Sequence, residues 1–124
     1  MLEQKALDLI SEVCHCKISD ISNIEPMKKG MTNESYSFVV NNQKYIIRIP
    51  GKGTENLVDR TMEYNVYKQL SPYNITDPVQ YISPTTAYKI TKYIDDAHNC
   101  DPQNWDEVEQ AIQYLKHFHS LKLI

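Results

Sequence analysis

The feature that most constrains this chain is a pair of alternating apolar segments, residues 36–40 and 45–49, joined by two asparagines. Side chains on a β-strand point to opposite faces in turn, so each alternation predicts a strand with a buried face. Asn41 and Asn42 tolerate the positive φ angles that a two-residue hairpin turn requires. The stretch before the hairpin holds Gly30 among small polar residues and predicts a loop. The chain is therefore expected to contain a glycine loop that leads into a β-hairpin.

Three segments carry apolar residues at the spacing of an amphipathic helix. They are residues 2–15, residues 55–70 and the segment after Pro102. Asp101 and Pro102 suit the N-cap and the first position of the third helix. In the second helix Glu63 lies beside an apolar stripe, which consists of Val58, Met62, Val66 and Leu70. The stripe predicts that Glu63 lies near the inner side of its helix.

Strands are also predicted outside the hairpin. Residues 18–27 have sparse apolar positions, and Pro26 favours an edge or irregular strand there, because proline cannot donate to a ladder. Short strands are predicted at residues 79–82 and 87–94. The whole order is helix, strand, loop, hairpin, helix, two strands and helix.

Composition excludes several classes of protein. The 124 residues suffice for one domain, and no apolar run approaches the ~20 residues of a membrane helix. The N-terminus lacks the basic region and apolar stretch of a secretory signal. A net charge of −3 disfavours a nucleic-acid binder, and three cysteines, an odd and low count, fit a reducing cytosol. A cytoplasmic protein without membrane insertion or a nucleic-acid partner is predicted.

A metal site is the first alternative for the polar residues. The segments Cys14-His15-Cys16 and His98-Asn99-Cys100 offer four zinc-type ligands. Their spacing differs from the two to four residues usual between zinc-binding cysteines. His117 and His119 are two positions apart and would point to different sides of a helix. The prediction is that the chain holds no metal site.

Five short segments, taken in order, resemble the N-terminal lobe of the choline/ethanolamine kinase family, within the aminoglycoside-phosphotransferase-like kinases, and bacterial choline kinases in particular. The segments are Gly30-Met31-Thr32-Asn33-Glu34-Ser35-Tyr36, Tyr45-Ile46-Ile47-Arg48-Ile49-Pro50-Gly51, Arg60-Thr61-Met62-Glu63, Thr91-Lys92-Tyr93-Ile94 and Leu115-Lys116-His117-Phe118-His119. The resemblance implies an α+β, protein-kinase-like lobe in residues 1–94, with a small twisted antiparallel sheet of about five strands and a flanking helix. Residues 95–124 would be the connector and first helix of a C-terminal lobe that is otherwise absent.

The resemblance assigns the phosphates of ATP to a loop and a strand. The loop residues are Gly30, Met31, Thr32 and Asn33. Gly30 lets the backbone approach a phosphate closely, although the same residues would also suit an ordinary β-turn. Arg48 would bind phosphate oxygens through its planar fork, where protein kinases keep a lysine. The alternative for Arg48 is a solvent-exposed arginine on a sheet.

The remaining implied contacts orient Arg48 and hold the adenine. Glu63 would pair with Arg48, although the spacing also permits an intrahelical salt bridge with Arg60. The hinge would be Lys92, Tyr93 and Ile94, with adenine bonded to the Lys92 carbonyl and the Ile94 amide. Ile46 would form the roof of the cleft. The alternative for these strand residues is plain core packing.

The family's catalytic loop, His-x-Asp followed five residues later by Asn, has no match in this sequence. The base and the Mg²⁺ ligands would therefore lie in the C-terminal lobe, and this fragment is expected to be inactive. The parent enzyme would transfer phosphate from ATP, with Mg²⁺, to choline or a related amino-alcohol, and the uncovered lobe interface could self-associate. The alternative is a non-catalytic α+β binding or scaffold domain, complete at this length.

Overall fold

The computed structural model describes residues 2–27, 33–51, 59–95, 98 and 100–122. In chain order the elements are α1 (Gln4–Cys14), β1 (Ser22–Pro26), β2 (Asn33–Val40), β3 (Gln43–Pro50), α2 (Arg60–Leu70), β4 (Val79–Ile82), β5 (Lys89–Lys92) and α3 (Trp105–Ser120). Short 3₁₀ turns occupy Ile18–Asp20 and Ser71–Tyr73. The strands form one antiparallel five-stranded sheet in the order β1-β2-β3-β5-β4. The predicted α+β fold is confirmed.

The hairpin at the centre of the sheet forms as predicted. β2 and β3 pair without a break in register from Asn33 opposite Pro50 to Val40 opposite Gln43. The turn residues Asn41 and Asn42 have φ angles of 51° and 65°, in the left-handed region that asparagine tolerates. The turn therefore fixes which β3 side chains lie on each face of the sheet.

The hydrophobic core lies between α1 and one face of the sheet. Ala6 and Ile10 on α1 and Phe38, Ile47 and Ile90 on the sheet are fully buried. Leu2, Ile21, Val40 and Tyr88 extend this cluster. Since successive strand residues point to opposite faces, Arg48 lies on the face away from α1.

Helix α2 does not bury the apolar stripe that the sequence suggests. Met62 is 63% exposed and Val66 is 44% exposed, whereas Leu70 at the end of the helix is buried. The half-buried positions are instead Arg60, Glu63, Tyr64 and Tyr67. Val58 lies outside the described residues. The inner face of α2 is therefore polar and aromatic, because its partners on the sheet are charged side chains.

Helix α3 begins later than Asp101 and Pro102 predict, and that prediction is wrong. Asn104 is the N-cap, and its side-chain oxygen accepts hydrogen bonds from the amides of Asp106 and Glu107 at 3.1 and 3.3 Å. The Asp101 carboxylate accepts the Gln103 amide instead. Asp101 therefore caps a turn that precedes the helix, and Asn104, an equally good cap three residues later, starts the helix itself.

The chain divides into two compact units, one up to Tyr93 and one from Ile94 onwards. The second unit contains α3, none of whose residues is buried. Its exposed apolar residues include Trp105, Ile112 and Leu115. Among the described helices, none has the length and apolar character of a membrane-spanning segment.

Candidate functional site

The sheet face away from α1 carries two adjacent rows of side chains across β2, β3 and β5. Antiparallel pairing places directly opposed residues on the same face. One row is uncharged and consists of Ser37, Ile46 and Thr91; the other consists of Ser35, Arg48 and Lys89. The rows are about 7 Å apart, the distance between alternate residues of a strand. This face therefore presents two cations beside a shallow uncharged strip.

Arg48 and Glu63 form a two-point ion pair between β3 and α2. Arg48 Nη1 donates to Glu63 Oε2 at 2.9 Å, and Nη2 donates to Oε1 at 2.7 Å. The side chains are only 11% and 22% exposed. This geometry matches the planar fork of a guanidinium to a carboxylate, the strong form of such a pair. The structure thus brings together Arg48 and Glu63, which the resemblance implied would pair. The alternative, that Arg48 is a solvent-exposed arginine on the sheet, is wrong.

Arg60 also contacts Glu63, at 3.4 Å from Nη1 to Oε2. The intrahelical pair and the pair with Arg48 therefore coexist. The Arg48 contacts are shorter, are two in number and connect separate elements of the fold. They decide the orientation of the Glu63 carboxylate.

A third acceptor for Arg48 is the carbonyl of Ala87, which accepts from Nη2 at 2.8 Å. Ala87 precedes β5 and has a φ of 65°, an unfavourable angle for a residue with a Cβ. The turn around it is held by the Ser83 carbonyl, which accepts the Ala87 amide at 3.2 Å. This backbone strain turns a carbonyl towards the guanidinium. Nothing in an alanine signals this role, so sequence reasoning could not find it.

The Arg48 guanidinium keeps donor capacity beyond these bonds. A guanidinium has five N–H groups, and the three bonds to Glu63 and Ala87 use three of them. Nε is buried and has no hydrogen-bond partner among the described residues. A buried donor without an acceptor is uncommon and costs about 1–3 kcal/mol, so it points to a missing acceptor.

The charge on Glu63 is stabilised by its neighbours. Burial alone would raise the pKa of this carboxyl, but the hydrogen bonds and charge of Arg48 outweigh it, and Arg60 and Lys89 add to their effect. The net result is a pKa below the ordinary value. Glu63 is therefore ionised at neutral pH and holds the guanidinium in a fixed orientation.

The residues predicted to form the hinge lie at the boundary between the two compact units in the sequence. Lys92 ends β5, and Tyr93 donates its amide to the Lys44 carbonyl at 2.9 Å. The Lys44 ammonium also lies 4.3 Å from the centre of the Tyr93 ring. Ile94, the first residue of the second unit, is 54% exposed. The structure thus fixes Tyr93 against β3.

Most of the predicted phosphate loop lies outside the described residues. Gly30, Met31 and Thr32 lie outside the described residues, and Asn33 is described only as the first backbone position of β2. Within the described part of the chain, no three His, Cys, Asp or Glu side chains are grouped as metal ligands.

Sequence reasoning missed a second polar contact beside Arg48. Lys89 Nζ donates to Tyr67 Oη on α2 and to Asp77 Oδ2 before β4, each at 2.9 Å. The alternation of Lys89 with buried Ile90 could have indicated that this lysine shares a face with the other polar residues. The register that sets Lys89 opposite Arg48 comes from the pairing of β3 with β5, two strands distant in the chain, which the sequence does not reveal.

No protein-family model matches the chain, and no curated protein matches it at a significant level. Solved structures do match. The choline kinase LicA from Streptococcus pneumoniae superposes with a TM-score of 0.65 at 25% identity, over 81% of this chain and 34% of that one. The gentamicin complex of APH(2″)-IIa gives 0.52 at 15% identity, over 81% and 31%. The streptomycin–ATP complex of APH(2″)-IIa gives 0.50 at 18% identity, over 81% and 32%.

The chain spans about a third of the length of each of these enzymes. Each of these matches covers 81% of a chain whose described residues form one five-stranded antiparallel sheet and three α-helices. The chain is thus similar to a choline kinase and to aminoglycoside phosphotransferases, and its fold is that of the N-terminal lobe of kinase-like enzymes.

Proposed function

We propose that this chain is the ATP-binding lobe of a small-molecule kinase that phosphorylates choline or a related amino-alcohol. The observation that carries the proposal is the Arg48–Glu63 pair, which joins β3 to α2 on the sheet face away from the core. Phosphoryl transfer depends mainly on positioned cations that stabilise charge on the phosphates. A guanidinium held by a carboxylate, a backbone carbonyl and a rigid strand is such a cation.

Arg48 would bind the α- and β-phosphates with the donors that Glu63 and Ala87 leave over. The donors left over are the Nε N–H and the second N–H of Nη1. Glu63 would act as a positioning residue, because it contacts the guanidinium and fixes its plane. The Gly30–Asn33 loop would cover the phosphates through backbone amides.

Adenine would lie on the uncharged row of the same face. Ile46 is half-buried between Ser37 and Thr91, so its side chain offers an apolar contact without bulky neighbours. The Lys92 carbonyl and the Ile94 amide would bond the edge of the base, with Tyr93 as the central hinge residue. The distance of about 7 Å between the rows suits a base on one row and phosphates on the other.

Choline is the proposed acceptor because, of the three structures described above, the choline kinase has the higher identity and the higher TM-score. Mg²⁺ would neutralise charge on the transferred phosphate. The described residues contain no group suited to hold it, so its ligands are assigned to the remainder of the kinase. The catalytic base is assigned there too, since this sequence has no His-x-Asp-x-x-x-x-Asn segment.

The proposal predicts that the 124-residue chain and a kinase that contains this lobe differ in activity. The chain alone should show no turnover with ATP, Mg²⁺ and choline, and at most weak ATP binding by titration calorimetry. The larger kinase should phosphorylate choline in a coupled assay, with ethanolamine and an aminoglycoside as comparison acceptors. Robust turnover by the chain alone, or no phosphorylation of any acceptor by the larger kinase, would contradict the proposal.

Helix α3 would pack against the remainder of the C-terminal lobe in that kinase. Trp105, Ile112 and Leu115 share one side of the helix and are 82%, 48% and 53% exposed. An exposed apolar stripe of this kind favours association. In the isolated chain the same stripe is proposed to mediate self-association.

Sedimentation equilibrium tests this self-association. The isolated chain should show an average mass above the 14.5 kDa of a monomer, and Leu115→Glu should return it towards that value. Gln110→Glu is the matched control, since it adds the same charge on the opposite, polar side of α3. A monomeric wild-type chain, or equal effects of the two substitutions, would exclude the stripe as the contact.

A further inference from the structure

Helix α2 has little apolar anchoring to the sheet, although it carries the carboxylate that orients Arg48. Met62 and Val66 face outwards, and only Leu70 in the last turn is buried. Helices in proteins usually hold their place by burying an apolar stripe. Apart from the half-buried rings of Tyr64 and Tyr67, the contacts that hold most of α2 are therefore polar.

Two of those contacts come from neighbouring strands. Arg48 on β3 and Lys89 on β5 are directly opposite each other in the sheet. Arg48 binds Glu63, and Lys89 binds the Tyr67 hydroxyl at 2.9 Å, four positions further along α2. Lys89 also donates to Asp77, so one ammonium joins β5, α2 and the segment before β4; we call this set of contacts the Lys89 bridge.

The spacing between Arg48 and Lys89 on the sheet matches the spacing between Glu63 and Tyr67 on α2. Directly opposed residues of antiparallel strands are about 5 Å apart, and residues four apart on a helix face lie about 5–6 Å apart. Two contacts at equal spacing fix both the position and the direction of α2 across the strands. With one contact the helix could pivot about the Arg48–Glu63 pair.

The Lys89 ammonium also lies 4.7 Å from the centre of the Tyr67 ring. Because the Tyr67 hydroxyl lies at the edge of the ring, the contact of Lys89 with Tyr67 is one hydrogen bond and not an additional cation–π interaction. Lys89 and Asp77 side chains are 14% and 35% exposed, so the bridge is partly shielded from solvent. Shielding makes these contacts stronger than ion pairs on the surface.

We propose that Lys89 is a positioning residue: through Tyr67 and Asp77 it fixes α2, and thereby keeps Glu63 in register with Arg48. This inference rests on the proposed function only for its effect on catalysis. Its structural part, the dependence of the Glu63–Arg48 contact on the Lys89 bridge, holds whatever the substrate is. The two parts can therefore be tested separately.

The structural part is tested by NMR titration of the Glu63 carboxyl carbon in the 124-residue chain. Tyr67→Phe removes one hydroxyl and no charge. If the Lys89 bridge holds Glu63 on Arg48, this substitution should raise the pH at the midpoint of the Glu63 titration towards the ordinary carboxyl range. Lys89→Met should raise it further, since the lysine charge is lost as well. Tyr64→Phe, on the same helix, is the matched control. A Tyr67→Phe midpoint equal to that of wild type would overturn the proposal.

The catalytic part is tested in a kinase that contains this lobe. Lys89→Met should lower kcat/KM for ATP about tenfold through displacement of Arg48, and Lys89→Arg should restore most of it. If Arg48→Ala impairs the enzyme and Lys89→Met does not, the Lys89 proposal fails while the proposed function stands. If neither substitution has an effect, the proposed function fails, and the NMR titration still decides the structural part.

Discussion

Arg48→Ala should lower kcat/KM for phosphoryl transfer by about two orders of magnitude in a kinase that contains this lobe. The substitution removes the charge and fork that the proposed function places on the phosphates. It also removes the main contact that lowers the pKa of Glu63, and leaves that carboxylate with only the longer contact to Arg60 and the nearby charge of Lys89. Steady-state kinetics with varied ATP and saturating acceptor measure the loss.

Two further variants identify the origin of that loss. Arg48→Lys keeps the charge but cannot form the two-point contact with Glu63, so its activity should lie between alanine and wild type. Lys17→Ala removes an exposed cation outside the proposed site and should leave kcat/KM unchanged. An Arg48→Ala enzyme with wild-type kcat/KM would remove Arg48 from the mechanism.

The sequence predicted the parts of this fold that depend on local chemistry. The hairpin follows from alternation on both sides of Asn41 and Asn42, and short-range rules determine both the turn and the faces of its strands. The pairing of Arg48 with Glu63 was predicted too, through the resemblance to a kinase family. That resemblance supplied a long-range contact that periodicity alone cannot give.

The inner face of α2 was not predictable in the same way. Met62 and Val66 suggested an apolar stripe, yet the sheet meets α2 with Arg48 and Lys89, so polar partners turn inwards. Which side of a helix is buried depends on the surface it meets, and here that surface is charged. The Ala87 carbonyl was missed for a related reason, because a backbone contact leaves no mark on residue type.

Polar packing of α2 makes the lobe sensitive to the loss of a single carboxylate. Glu63→Ala should lower the free energy of unfolding of the 124-residue chain by about 2–3 kcal/mol at pH 7, because it leaves the Arg48 charge buried without its carboxylate partner. This value lies at or below the lower limit of the roughly 3–5 kcal/mol expected for a fully buried pair, since the Glu63 side chain is 22% exposed. Urea unfolding measures it, and Glu12→Ala, at an exposed position of α1, should change it by less than about 0.5 kcal/mol.

The same carboxylate gives this stabilisation a defined pH dependence. The folded-state pKa of Glu63 is lowered, chiefly because the Arg48 contacts outweigh the effect of burial. The contribution should therefore be complete above the ordinary carboxyl pKa of about 4.3 and should disappear as the pH falls through the lower folded-state value. Wild type and Glu63→Gln should differ most in unfolding free energy near neutral pH and converge on acidification. A difference that stays constant from pH 7 to about pH 3 would show that the charge of Glu63 does not stabilise α2 on the sheet.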